Sequence, residues 1–154
     1  MKKHKAFTLI ELLVVISVLG ILVAVILPNL IGVRARARDS ARKNDLRQLK
    51  VAIRMYYNDY QVYPPDDDNG SIVACGEDGT LLCPNDDESF AIGNMVYMKE
   101  MIANDQFDYV QMSFGEDFLL STVLENASDS DITDSVERCN VAAPVASTYY
   151  ICAD

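Results

Sequence analysis

The chain of 154 residues contains no tryptophan and a single histidine, His4. Histidine is the side chain best suited to acid–base catalysis near neutral pH, and it is the commonest metal ligand in proteins. Carboxylates alone can hydrolyse a glycosidic bond, but a small chain without tryptophan is poorly equipped for a sugar-binding cleft. The sequence shows no active site, and we predict that the protein is not an enzyme.

Basic residues are scarce in the second half of the chain. From Asp66 onward there are nineteen acidic residues against two basic ones, Lys99 and Arg138. Residues 34–54 show the reverse, with eight basic residues against two acidic ones and no aromatic residue between them. Nucleic-acid surfaces need a basic patch and, for single strands, aromatic platforms. The acidic remainder therefore argues against nucleic acid as a direct ligand.

A long apolar run lies near the N-terminus. Residues 7–27 are interrupted only by Thr8, Glu11, Ser17 and Gly20. A helix of about 20 residues, at ~1.5 Å per residue, spans the ~30 Å hydrocarbon layer of a bilayer. A cleavable secretory signal is the alternative, but its apolar part is typically about 7–15 residues long. We therefore predict a membrane anchor.

Two signals for the orientation of this anchor disagree. Three basic residues precede the span and five follow it within residues 34–43, so their count alone would place the C-terminal part inside. An even number of cysteines in a small polar domain indicates two disulfides in an oxidising compartment, although four cysteines allow three pairings. All four follow the span: Cys75, Cys83, Cys139 and Cys152. We predict a single-pass protein of the cytoplasmic membrane with its C-terminal part outside.

Hydrophobic periodicity predicts that the helix continues beyond the membrane. Leu46, Leu49 and Ile53 begin an apolar stripe that runs to about Tyr60, and the prolines of residues 63–65 end the helix. Two further residues are predicted weak points, because glycine costs ~1 kcal/mol and proline ~3 kcal/mol inside a helix. They are Gly20 and Pro28. Membrane helices tolerate both residue types, so a functional bend and a neutral role remain open.

The C-terminal part has the pattern of a small sheet. Residues 64–94 are rich in glycine, proline and aspartate, and we predict loops there. Three β-prone runs follow at residues 107–114, 118–124 and 147–152, with a turn at 113–116. The predicted fold class is α+β, in which the long helix packs on a small antiparallel sheet.

Glu11 places a carboxylate at the start of the apolar run, where a charge costs about 2.5–3.5 kcal/mol. If the chain were cut just before Phe7, the new α-amine would lie one helical turn from Glu11. A second parallel copy, shifted by about one turn or ~6 Å, would bring its amine level with this carboxylate. We hypothesise that Glu11 pairs with another copy. The alternative is an incidental acid in an anchored binding or sensor module that never polymerises.

Residues 1–32 resemble the N-terminus of type IV pilins and of the pseudopilins of type II secretion systems. The resemblance rests on a basic leader followed by Phe7-Thr8-Leu9-Ile10-Glu11 at the start of a long apolar helix. It implies that a prepilin peptidase cuts between Ala6 and Phe7, that the new amine of Phe7 is N-methylated, and that Thr8 and Glu11 serve assembly. Ala6 stands where the family usually has glycine, and we expect this small residue to permit cleavage.

The resemblance also implies an architecture: leader 1–6, transmembrane assembly helix 7–32, amphipathic half of the same helix 33–62, and extracytoplasmic head 63–154. It implies a structural subunit of a pilus or of a short secretion pseudopilus, exposed at the cell surface after assembly. The implied partners are identical copies in a helical filament, the prepilin peptidase, a platform protein and ATPase, minor pilins and membrane lipids. The implied disulfides join Cys139 to Cys152 and Cys75 to Cys83.

Two hypotheses concern charged clusters. Some pseudopilins bind calcium in a C-terminal loop, so Asp129, Asp131 and Asp134 are candidate ligands; the alternative is solvated turn residues, and no other cofactor is expected. The basic residues 34–43 are candidates for contacts with lipid headgroups and later with acidic heads of neighbouring copies. The alternative for them is a solvated helix face.

Overall fold

The structure, a computed structural model, describes residues 7–83 and 89–153, and only the backbone of residues 27–31. The chain divides into two compact units, Met1–Ala37 and Arg38–Asp154. Its helices and strands, in chain order, are α1 (Leu9–Tyr60), β1 (Val73–Cys75), β2 (Leu81–Leu82), β3 (Phe90–Ile92), β4 (Met95–Met98), β5 (Asp108–Met112), β6 (Asp117–Val123), α2 (Ser130–Arg138) and β7 (Thr148–Cys152). These elements confirm the predicted α+β class.

Helix α1 agrees with its predicted bounds to within two residues. Its segment Leu9–Ile26 is long and apolar enough to cross a membrane, and the side chains there are exposed. A Cβ atom at Gly20 would meet nothing within 4 Å, so no close neighbour requires glycine at this position. The helix assignment continues through Pro28, whose side chain lies outside the described residues. The role of both residues as weak points stays a prediction.

The core of the second unit forms between α1 and a three-stranded sheet. The predicted helix stripe Leu46, Leu49 and Ile53 is fully buried. The sheet has the antiparallel order β5-β6-β7, and alternate residues of β6, including Phe118 and Leu120, face the same core. Side chains at every second position of a strand share one face. The three strands overlap the β-prone runs predicted at residues 107–114, 118–124 and 147–152.

Two short hairpins replace part of the loop predicted for residues 64–94. Strand β1 pairs with β2, and β3 pairs with β4, each pair antiparallel and irregular in register. These strands have two to four residues, too few for hydrophobic alternation to stand out. Phe90 and Tyr97 carry the second hairpin onto Tyr56 of α1, with ring centroids 6.1 and 5.7 Å from the Tyr56 ring.

Helix α2 corrects the prediction that Asp129, Asp131 and Asp134 lie in a solvated turn or loop. Asp129 is the N-cap of this helix, and its side chain accepts a hydrogen bond from the Asp131 backbone amide at 3.0 Å. An aspartate at this position satisfies a donor that the first turn leaves unpaired. Asp134 follows on an exposed part of the same helix. The acidic cluster is therefore a helix start.

Candidate functional site

The start of α1 is closed by a reciprocal set of hydrogen bonds between Thr8 and Glu11. The Thr8 amide and hydroxyl donate to Glu11 Oε2 at 2.9 and 2.7 Å, and the Glu11 amide donates to Thr8 Oγ1 at 3.3 Å. This is the capping box, in which the N-cap side chain and the residue three positions later satisfy each other's amides. Glu11 thus has a role within its own chain.

This role of Glu11 was not predicted from the sequence, although its signal there is short and local. A threonine followed three residues later by glutamate, just before an apolar run, is the pattern of a capping box. Both side chains remain exposed, as does Phe7, so they are open to a neighbour. Ala6 lies outside the described residues. Cleavage, N-methylation and pairing of Glu11 with a second copy therefore stay predictions.

Three of the basic residues after the apolar segment contact the C-terminal half of their own chain. Arg38 forms a two-point hydrogen bond to Glu125, at 2.8 and 2.6 Å. Arg42 lies 3.3 Å from the same carboxylate and donates to the Val123 carbonyl at 2.9 Å. These bonds engage Arg38 and Arg42 within one molecule. Contacts of the basic residues 34–43 with lipid headgroups or with neighbouring copies stay a prediction.

Lys43 extends this contact to the start of α2. Its ammonium lies 2.9 Å from Asp129 Oδ2 and 2.7 Å from Asp131 Oδ2. Burial tends to lower the pKa of Lys43, but the bonds to Asp131 and Asp129 outweigh it and raise that pKa above its usual value. The bond from Lys43 likewise lowers the pKa of Asp129. Both groups are therefore charged over a wide pH range.

Asp39 lies beneath these ion pairs. It is 1% exposed, and its two carboxylate oxygens accept the backbone amides of Glu125 and Asn126, both at 2.8 Å. A buried carboxylate is tolerated only where such donors replace water. Together, residues 38, 39, 42 and 43 fasten α1 to residues 123–131, and we call this set the helix clasp. Arg34 and Arg36, earlier on the helix, are exposed.

The helix clasp bears on the calcium hypothesis. Two of the three candidate ligands, Asp129 and Asp131, already bind the Lys43 ammonium. Among the residues that the structure describes, no group of three or more histidine, cysteine, aspartate or glutamate side chains is placed to hold a metal ion. A calcium ion would have to displace Lys43. Calcium binding stays a prediction of the sequence alone.

The cysteines form the pairs that the resemblance implies. Cys75 is bonded to Cys83, and Cys139 is bonded to Cys152. The second bond joins the end of α2 to the last strand, where the Ser135 hydroxyl also accepts the Tyr150 amide at 3.1 Å. Both bonds suit the oxidising compartment predicted for this part of the chain.

Known proteins resemble the first part of the chain. A family model described as "Prokaryotic N-terminal methylation motif" matches residues 1–27. The type II secretion system core protein G of Vibrio cholerae is 40% identical over 67 residues, which are 44% of this chain and 46% of that relative. The type IV major pilin protein PilA of Myxococcus xanthus is 36% identical over 61 residues, or 40% of this chain and 28% of the relative.

A third relative extends the pattern. The type IV wide pilus major component PilA4 of Thermus thermophilus is 43% identical over 63 residues, which are 41% of this chain and 48% of that protein. The chain thus matches less than half the length of each of these relatives. No solved structure is significantly similar to it. Part of the chain is thus similar to type IV pilins and to a type II secretion core protein, and the methylation motif lies at its N-terminus.

Proposed function

We propose that the protein is a structural subunit of a helical filament, either a type IV pilus or a secretion pseudopilus. The observation that carries this proposal is the capped apolar helix: Thr8 and Glu11 close the start of a segment, Leu9–Ile26, that can cross a membrane and lies within the methylation motif. The names of the three relatives describe pilins and a secretion core protein, which supports the same role.

In this proposal the chain first waits in the cytoplasmic membrane with its C-terminal unit outside. A prepilin peptidase removes residues 1–6, the new amine of Phe7 is methylated, and a platform protein with its ATPase moves copies into the filament beside minor pilins. Lateral packing of the apolar segments supplies cohesion, because those side chains are exposed in the single chain. Glu11 then pairs with the amine of a copy shifted by about one turn.

Mass spectrometry of the protein from its host tests the processing. We expect a chain that begins at Phe7 and carries one additional methyl group on its terminal amine. The same spectrum should show both disulfides formed. An intact leader on the surface-exposed protein would instead favour an anchored module that does not polymerise, and the proposal would be abandoned.

The capping box makes a sharper test of Glu11 possible. A glutamine at the third helical position can still accept the Thr8 amide but carries no charge. We expect both Glu11→Ala and Glu11→Gln to insert normally into the membrane and to yield no filaments. If Glu11→Gln assembled like the wild type, the carboxylate would serve only to cap the helix, and pairing with an amine would be rejected.

A further inference from the structure

A strained turn between β5 and β6 holds a phenylalanine in solvent. Ser113 and Phe114 have φ values of 52° and 59°, in the left-handed region that residues with large side chains rarely occupy. Phe114 is nevertheless fully exposed, at 104%. Burial therefore does not explain why a large apolar side chain occupies a position that would suit glycine. Strain of this kind at an exposed residue points to a functional contact.

The turn is held rigidly against the end of α1. The Tyr63 amide donates to the Gly115 carbonyl at 2.9 Å, and Gln111 Nε2 donates to the Tyr63 carbonyl at 2.6 Å. A Cβ atom on Gly115 would lie 3.2 Å from Val62 Cβ. Val62 is itself 43% exposed, and Glu116 beside the turn is exposed as well. We call Val62, Phe114 and Glu116 the tip: an apolar knob next to a negative charge.

A complementary surface lies on the outer face of α1 in the same unit. Val51 and Met55 are 59% and 45% exposed, and Arg47 is exposed one turn earlier. Residues four apart are neighbours on one helix face, with Cβ atoms ~5–6 Å apart. We call Arg47, Val51 and Met55 the outer stripe. It offers an apolar seat for an aromatic ring beside a positive charge.

The two surfaces stand at different heights along α1. The turn that carries the tip is hydrogen-bonded to Tyr63, three residues beyond the end of α1 at Tyr60, whereas the residues of the outer stripe lie five, nine and thirteen residues before Tyr60. At ~1.5 Å per residue the outer stripe extends from about 7 to about 20 Å behind the end of α1. Copies inserted in one membrane point the same way, so the two surfaces can meet only between copies that are shifted along the helix axis.

We propose that the tip of one copy docks on the outer stripe of a second copy of this chain, with Phe114 seated between Val51 and Met55 and Glu116 beside Arg47. The proposal rests on the filament function proposed above. Such a head-to-tail contact uses two different patches and does not close on itself, so repetition builds an open helical assembly. It connects copies at a larger offset than Glu11 does, and hence a different pair of neighbours.

Charge favours a second copy over a lipid surface. The C-terminal part of the chain has nineteen acidic residues against two basic ones, and Glu116 lies at the tip itself. An anionic membrane would repel such a surface. The outer stripe, in contrast, combines exposed apolar side chains with a basic residue of the opposite sign. Complementary charges of this kind select the partner and its register.

Cysteine cross-linking in cells that assemble the full chain tests the contact. A single added cysteine can join at most two copies, whereas Ser113→Cys combined with Gln48→Cys can join many and leaves Phe114, Val51 and Met55 in place, since both replaced residues are exposed neighbours of the contact. We expect a ladder of trimers and longer species for the double variant, under non-reducing conditions, and no species beyond dimers for each single variant. A double variant that gives no ladder would overturn the proposal.

Charge exchange provides a second test. We expect Glu116→Arg and Arg47→Glu each to lower filament yield about tenfold, as loss of an interface anchor does, and the double exchange to restore it. Phe114→Gly should lower the yield as much without lowering the thermal midpoint of the detergent-solubilised chain, because glycine suits the left-handed turn. Normal yield for all of these variants, with Glu11→Ala still lacking filaments, would reject this contact and leave the filament function standing.

Discussion

At the scale of single residues, the buried carboxylate of Asp39 is expected to contribute more to stability than the exposed charges around it. Asp39 is buried and accepts two backbone amides from the turn after β6. Removal of such an acceptor leaves two donors without a partner, each at a cost of about 1–3 kcal/mol. Its position could not be deduced from sequence, where Asp39 looks like one acid in a basic helix.

We predict that Asp39→Ala lowers the free energy of unfolding by about 2–4 kcal/mol, because both amides lose their acceptor. Asp39→Asn is the matched control: its single carbonyl oxygen can keep one of the two bonds, so we expect a smaller loss. Near-ultraviolet circular dichroism of the tyrosines during denaturation of the chain in detergent measures both. Equal stability of Asp39→Ala and the wild type would contradict the structural role.

At the scale of elements, α2 is held from both sides. Lys43 of α1 binds its first turn, and the disulfide Cys139–Cys152 fastens its last turn to β7. The acidic and polar composition of this segment suggested a loop, although Ile132, Ser135 and Val136 stand at helical spacing behind Asp129, a favoured N-cap residue. Its stability comes from these tertiary contacts, as is usual for short helices.

The bond to Lys43 predicts a dependence of stability on pH. Because this bond lowers the pKa of Asp129 in the folded chain, its contribution is complete above the ordinary aspartate pKa of about 3.9 and is lost as pH falls through the lowered value. We expect the thermal midpoint of unfolding to decrease as the pH is lowered through this acidic range. In Lys43→Met, which lacks this bond, the loss of unfolding free energy over the same pH range should be smaller by about 1 kcal/mol. Identical pH profiles for the variant and the wild type would contradict this role of Lys43.

The disulfide Cys139–Cys152 is expected to contribute measurably to the stability of the chain. Cys139 and Cys152 are 13 residues apart, and a loop of that size adds about 3 kcal/mol in the chain-entropy model. We expect the double variant Cys139→Ser with Cys152→Ser to lose about this much unfolding free energy, which a lower midpoint in denaturant would show. The matched variant at Cys75 and Cys83 shows whether the effect belongs to the C-terminal loop. Unchanged unfolding would indicate that α2 is held by its other contacts alone.

At the scale of the whole molecule, several of the basic side chains that follow the apolar segment are paired with acidic side chains of the same chain. In the helix clasp, Arg38, Arg42 and Lys43 form ion pairs with acids of the same chain. Arg34 and Arg36, next to the apolar segment, remain exposed. These two arginines remain suited to lipid headgroups, at about 1 kcal/mol each near an anionic surface.

This distribution leads to a prediction about calcium. Because Lys43 already neutralises Asp129 and Asp131, we expect neither a chelator nor added calcium to change the thermal midpoint of the wild-type chain. Thermal unfolding with each addition measures this, and magnesium serves as the control. A midpoint that rises with calcium alone would show that the ion displaces Lys43, and would support the calcium hypothesis drawn from the sequence.

Local patterns were sufficient for the features that depend on neighbours in the chain. The apolar run predicted the segment that can cross a membrane, and steps of three and four residues predicted the stripe of Leu46, Leu49 and Ile53. Runs of β-prone residues predicted β5, β6 and β7. The capping box also has a local signal, a threonine and a glutamate three residues apart, although it was not predicted. Each of these signals reflects hydrogen bonding or burial within a few residues.

Other features arise only when distant residues meet. Arg38 and Glu125 are 87 positions apart, and nothing in either segment names the other; the same charges would suit a lipid or a neighbouring copy equally well. The turn at residues 113–116 was predicted from sequence, but its hydrogen bond to Tyr63, which holds it with Phe114 exposed, joins segments about fifty residues apart. Long-range pairing is decided by how α1 and the sheet share one core, which fixes the partner of every charge and ring around it.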